Sequence, residues 1–213
     1  MSKIILALET SSKICGVSII EGENVLSSVD ELAPREHNER LPELINRALI
    51  DANKPLHDVQ AIAVSIGPGS FTGLRIGLGF SKGLAYAKGL PIVPVPTLLS
   101  LAFSQKEFEP KNGIMHSHAK KVFYQAFYWD NKIPKIKGEV FVADIDQYLE
   151  DKELGFHSNC GNFFNSNNSI QEANHSARHV GILASMFFDE WLIDKPYDLE
   201  PDYIAPFEIK QRV

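Results

Sequence analysis

Cysteine is nearly missing from this chain: Cys15 and Cys160 are the only two in 213 residues. Two thiols so far apart make neither a metal knuckle nor a disulfide framework, and their scarcity suits a reducing compartment, so a cytoplasmic location is expected. No apolar run reaches the ~20 residues that cross a bilayer, and no membrane partner is expected. Met1-Ser2-Lys3 leads straight into a strand-like segment, without the apolar stretch of a signal peptide. A basic excess is missing too. Lys and Arg number 21 against 27 Asp and Glu, a formal charge of −6, so no overall field draws the chain onto nucleic acid. No Gly-Lys-Ser/Thr closes a phosphate loop and no Gly-x-Ser-x-Gly elbow presents a nucleophile, so no catalytic residue is expected.

What is present is a 44% hydrophobic composition, enough to fill the core of one large or two small domains, and one stretch that organises the rest. Residues 61–66 are an apolar run of strand length, stopped by Gly67-Pro68-Gly69. Ser70 stands at an N-cap position ahead of a proline-free helix over 71–88. A strand, a glycine turn and a helix start can together hold a phosphate on free N–H groups and the positive end of the helix dipole. Here, however, Gly67-x-Gly69 is followed by Thr72 rather than a third glycine. Before Lys88 the helix carries only Arg75 and Lys82 as charges, on one side. Gly73/Gly77 and Gly79/Gly83 repeat at i, i+4. Each mid-helix glycine costs about 1 kcal/mol relative to alanine, so four of them call for close approach. A helix apolar nearly all round is buried on more than one face: against its own sheet, and against either a neighbouring helix or a second chain.

Apolar segments at 4–8, 14–20 and 25–29, separated by short polar turns, read as a three-strand meander. A helix over 39–52 follows, with Leu41, Leu44, Ile45, Ala48 and Leu49 on one face and Pro42 in its first turn. After the glycine helix come a strand at 92–95 and a helix at 98–104 capped by Thr97. Later, residues 121–129 and 133–142 read as strands, 144–152 as a short helix, 161–174 as a polar loop, 177–192 as an amphipathic helix, and 196–206 as an extended tail.

The run Ile66-Gly67-Pro68-Gly69-Ser70-Phe71-Thr72-Gly73-Leu74-Arg75-Ile76-Gly77 resembles the signature of the TsaB (YeaZ) family. Ile5-Leu6-Ala7-Leu8-Glu9-Thr10-Ser11, Leu32-Ala33-Pro34-Arg35-Glu36-His37 and Pro91-Ile92-Val93-Pro94-Val95 agree with it, so the likeness is dense over 4–102 and thin beyond. Members are partner subunits in the bacterial assembly of N6-threonylcarbamoyladenosine in tRNA. With the element order βββαβαβα, the resemblance implies an α/β, actin-like/ribonuclease H-like (ASKHA) two-lobe fold with a mixed sheet. The lobes are expected at 1–104, carrying the interface helices, and 105–213, smaller and less regular, with helix 177–192 packing back on the first. The implied function is a non-catalytic dimerisation and scaffold subunit that binds and activates a TsaD-like catalytic subunit. A TsaE-like ATPase would join the assembly and a TsaC-like enzyme would make the threonylcarbamoyl-adenylate upstream. Alone the chain would be a homodimer, and it would meet tRNA only through the complex. The partner interface is expected at His37, Leu41, Leu44, Ile45, Leu74, Arg75, Leu78, Lys82 and Tyr86, with Leu78→Glu as the change that breaks it.

The rival expectation is a small actin-like ATP-dependent phosphotransferase. Such kinases place an acidic strand end beside a hydroxyl and glycine turn to position Mg²⁺ and phosphates; the matching residues here are Glu9, Thr10, Ser11, Gly67, Gly69 and Ser70. The family commonly has Asp where Glu9 stands. No tightly bound cofactor is expected, with ATP/ADP-Mg left open at the partner boundary. His116-x-His118 and His175-x-x-x-His179 have metal-like spacing but lack the Glu of His-Glu-x-x-His, and no metal is expected. TsaD-like relatives carry a His-rich motif in the first lobe; residues 60–104 here hold no histidine. Two further departures are His118-Ala119-Lys120 in place of Asp-Ala-Arg, and Pro201-Asp202-Tyr203-Ile204-Ala205 in place of Pro-x-Tyr-Leu-Arg.

Overall fold

The computed structural model describes residues 2–164 and 170–204. Its first sheet has the strand order β3-β2-β1-β4-β5. β1 (Ile4–Glu9), β2 (Ile14–Glu21) and β3 (Asn24–Leu32) form an antiparallel meander, as short turns require. β4 (Ala61–Gly67) runs parallel to β1, and β5 (Ile92–Pro96) parallel to β4, because α1 (His37–Asp51) and α2 (Phe71–Lys88) carry the chain back each time. This is the βββαβαβα mixed sheet expected from the sequence, completed by α3 (Thr97–Ser104).

Every residue of β1 is buried, so both faces of the sheet are covered. Strand alternation divides the work. Leu6 and Leu8 join Val17, Ile19, Ile62 and Val64 beneath α1 and α2. Ile5 and Ala7 join Ile20, Ala61, Ala63 and Val93 on the other face, with α3 and α4 (Ala177–Met186). α4 comes close because Gly181 has no Cβ, which would run into Ile20 and lie 2.9 Å from the Ala7 methyl. Asp30 on β3 holds the start of α4: it accepts from the Ala177 N–H at 3.0 Å and from the Ser176 hydroxyl at 2.6 Å.

The second sheet has the order β10-β9-β6-β7-β8, from β6 (Asn112–His118), β7 (Lys121–Asp130), β8 (Ile133–Asp144), β9 (Phe156–Ser158) and β10 (Gln171–Glu172). Met115, Phe123, Phe127 and Phe156 from this sheet share one core with α3 and α4.

Several boundaries move. α1 starts at His37, so Pro42 lies past the first turn; the Asn38 carbonyl, to which Pro42 has no N–H to donate, belongs to an exposed residue. The helix over 144–152 is reduced to a 3-10 turn, Ile145–Gln147, and Tyr148 stacks on Tyr124 at 5.4 Å. The single helix over 177–192 breaks at Phe187, which stacks on Trp191 at 4.4 Å across the short α5 (Phe188–Trp191). Thr97 is the first residue of α3 rather than its cap, and its hydroxyl accepts from the Gly67 N–H at 3.2 Å. The tail opens with a 3-10 turn, Pro196–Asp198; residues 205 and 206 lie outside the described residues.

Candidate functional site

β1 ends at Glu9, and Thr10 and Ser11 are laid directly against the start of α2. All three are closed to solvent, at 1%, 0% and 2% exposure. Glycine makes the approach possible. A Cβ at Gly69 would lie 2.5 Å from the Ser11 carbonyl oxygen, one at Gly73 would run into the Thr10 carbonyl oxygen, and one at Gly77 into Thr10 Oγ1. Hydrogen bonds stitch the seam. Thr10 Oγ1 donates to the Gly73 carbonyl at 2.9 Å, and the Ser70 N–H donates to the Ser11 carbonyl at 2.7 Å. Ser70 caps the helix as expected, accepting from the Gly73 N–H at 3.2 Å. Two N–H groups of this turn that could face a phosphate are therefore already bonded within the chain.

Alternation along β1 points Glu9 to the α4 side of the sheet, where it meets His175 just ahead of that helix. Glu9 Oε1 accepts from the Ser11 N–H at 2.6 Å and the Ser11 hydroxyl at 2.5 Å, and lies 3.7 Å from His175 Nδ1. With its proton turned to Glu9, the Ser11 oxygen can accept from His175 Nδ1, 3.2 Å away. Burial pushes the Glu9 carboxyl up, but the hydrogen bonding and charge of His175, with the Ser11 hydroxyl and amide, outweigh it and hold the group below its ordinary value. Glu9 is a buried, ionised clasp on the segment entering α4.

The histidine spacings resolve differently from a metal site. His175 precedes the N-cap Ser176, so it does not share a helix face with His179. His179 packs edge-on to Phe103 at 6.1 Å with its Nδ1 unpartnered, and burial drives its pKa down to about 4. His116 Nε2 lies 3.0 Å from the Ala119 carbonyl and His118 Nδ1 3.1 Å from the Ser117 hydroxyl. Among the described residues no three His, Cys, Asp or Glu side chains are grouped to hold a metal ion.

The residues expected at a partner interface divide in two. His37, Leu41, Leu44, Ile45, Leu74 and Leu78 are turned into the chain's own interior; Leu78 is 4% exposed, and His37 Nε2 lies 3.1 Å from the Ile14 carbonyl. Leu78→Glu would therefore disrupt folding before it tested any interface. Arg75, Lys82 and Tyr86 remain at the surface, where they meet the chain's own tail. Arg75 Nε donates to the Tyr203 hydroxyl at 2.9 Å, its guanidinium 3.8 Å above the Phe71 ring. Lys82 Nζ donates to the Tyr197 carbonyl at 2.9 Å, and the Tyr86 and Tyr197 rings meet edge-on at 6.4 Å. The Asp202 N–H donates to the Ile66 carbonyl at 2.7 Å. The Asp202 carbonyl oxygen lies 2.7 Å from where a Gly67 Cβ would be. Gly79 and Gly83 face open space. Sequence reasoning read His175 only with His179 and the tail only as extended chain, and missed what each holds, since neither a contact distant in sequence nor an extended segment leaves a periodic signal.

A family model described as TsaD, tRNA N6-adenosine threonylcarbamoyltransferase, matches residues 23–136, more than half of the chain. The tRNA threonylcarbamoyladenosine biosynthesis protein TsaB of Haemophilus influenzae is 40% identical over 112 residues, 52% of this chain and 47% of that protein. TsaB of Escherichia coli K12 is 39% identical over 98 residues, 46% of this chain and 42% of that protein. The chain belongs to the TsaB (YeaZ) family. The residues matched by the family model include the glycine turn and α2, which form one side of the seam. The chain spans about half the length of the curated TsaB relatives it matches. A solved structure, YeaZ from Pseudomonas aeruginosa, shares the fold: TM-score 0.78 at 23% identity, covering 94% of this chain and 99% of that one.

Proposed function

We propose that this chain is a non-catalytic scaffold subunit of the machinery that makes N6-threonylcarbamoyladenosine in tRNA, docking on a TsaD-like catalytic subunit and activating it. The observation that carries the reading is the closed seam. The strand-end acid and the helix start that an actin-like kinase would turn toward Mg²⁺ and phosphate are each taken up inside the chain, the acid by Ser11 and His175 and the helix start by Thr10 and Ser11. Glu9 is 1% exposed and committed to Ser11 and His175, and Thr10 lies in contact with Gly73. The names of the TsaB relatives supply the pathway.

The docking surface in this reading is the outward side of α2, where Gly79 and Gly83 let another backbone come close. The same surface pairs two copies when no catalytic subunit is present. A TsaE-like ATPase joins the assembly, and tRNA is met only through it, in keeping with a net charge of −6.

Reconstitution tests this. Threonylcarbamoyl transfer to tRNA by the TsaD-like subunit should appear on adding this chain and be lost with Gly83→Arg, at a position with nothing within 4 Å. Transfer that proceeds equally without the chain ends the scaffold reading. Heat on titrating ATP-Mg²⁺ into the isolated chain, abolished by Glu9→Ala, would move the reading to a phosphotransferase.

A further inference from the structure

Part of the side of α2 assigned above to a partner already has an occupant, beside Gly79 and Gly83, which stay open. Residues 196–204 run along it from Tyr86 to the glycine turn, and their seat is shaped for them. Gly67 has φ +123°, and its missing Cβ is what lets the Asp202 carbonyl pass. The Asp202 N–H extends the hydrogen bonding of β4 by one bond at the Ile66 carbonyl. Both cations in the middle of α2 are engaged, Arg75 by the Tyr203 hydroxyl and Lys82 by the Tyr197 carbonyl.

The grip is nonetheless light. Tyr197 is 60% exposed and Tyr203 39%. A cavity of about 270 Å³ remains between segment and helix, bounded by Leu78, Gly79, Leu199 and Pro201. Surface polar contacts over an unfilled space open at low free energy. The other residues expected at the interface, such as Leu41 and Leu44, are by contrast fully packed in the core.

We propose that residues 196–204 are an intramolecular strap that competes with the partner subunit for α2, so that docking requires the strap to leave. This rests on the docking reading above and adds its regulation. Release frees Arg75, Lys82, the Phe71 ring and one side of Leu78 together. A partner that takes the strap's place must bring the same chemistry: hydrogen-bond acceptors opposite two cations spaced two turns apart, and an aromatic ring against Phe71.

Three forms decide the matter by calorimetry against a purified TsaD-like subunit: the full chain, a chain ending at Lys195, and full-length Tyr203→Ala. Shortening should tighten binding by about tenfold and Tyr203→Ala by about threefold, since a closed strap lowers the competent fraction. A peptide of residues 196–204 added to the shortened chain should weaken binding again. If the shortened chain fails to fold, Tyr203→Ala alone decides. Unchanged or weaker binding by the variants, with the full chain still binding, overturns the strap and leaves the docking reading standing. Absence of binding by every form overturns the docking reading itself.

Discussion

Gly73/Gly77 and Gly79/Gly83 share one helix and one spacing, yet they stand in opposite surroundings. The first pair lies against Thr10, whose carbonyl and hydroxyl occupy the space a side chain would need; the second pair meets nothing within 4 Å. The inner glycines are demanded by the chain's own strand end. The outer ones weaken the helix without any return inside this chain, which is why a second polypeptide is the reading they favour. Helical period alone cannot separate the pairs, because a glycine shows only that a side chain is absent. What lies opposite it shows why.

The sharpest way to break the comparison is Gly73→Ala. The new methyl meets backbone rather than a flexible side chain, so destabilisation of about 3 kcal/mol is expected, roughly 10 °C in melting temperature for a chain of this size. A melt within a degree or two of the parent would mean the seam is not close-packed.

Next in size is the acid response, which separates the seam from the helix behind it. The folded pKa of His179, about 4, lies below its ordinary 6.5, so between those values the unfolded chain binds a proton that the folded chain refuses. Stability should therefore fall as pH drops from about 6.5 to 4, by at most roughly 3 kcal/mol. His179→Phe should flatten that limb in denaturant titrations. His157, which burial also holds below its ordinary value, contributes to what remains of that limb. At lower pH the seam responds, because Glu9 has a depressed folded pKa, so its contribution is present above the ordinary carboxylate value and is lost as pH falls through the folded one. An unaltered limb in His179→Phe would place the response elsewhere.

The smallest effect is of opposite sign. Gly83→Ala removes a mid-helix glycine at an open position and should stabilise by about 1 kcal/mol, near 3 °C. A loss of stability there would show that the outer pair, too, is needed within the monomer.

The order of elements from β1 to α3 was legible because two-residue and helical periodicities are strong there, and Ser70 announced its helix. The same apolar character hid the phase of α2. With hydrophobic residues nearly all round, nothing in the sequence said that Leu74 and Leu78 turn inward while Gly79 and Gly83 turn out. Glu9 was legible as a strand-end acid but not as a clasp, since its partner His175 is distant in sequence and was read instead with His179. β9 and β10 are too short to carry a pattern, and the tail is extended chain whose contacts depend on Gly67 and Arg75 being already in place.

The cap that Asp30 places on α4 has an evolutionary consequence. Once β3 grips the start of that helix, the frame of the molecule closes without the chain between Ser104 and His175, which leaves and re-enters on one side like a cassette. Such a cassette can be trimmed, lengthened or rebuilt by drift while the frame persists, provided the patch made by Phe123, Phe127 and Phe156 still fits α3 and α4. Divergence within this lineage should accumulate there first.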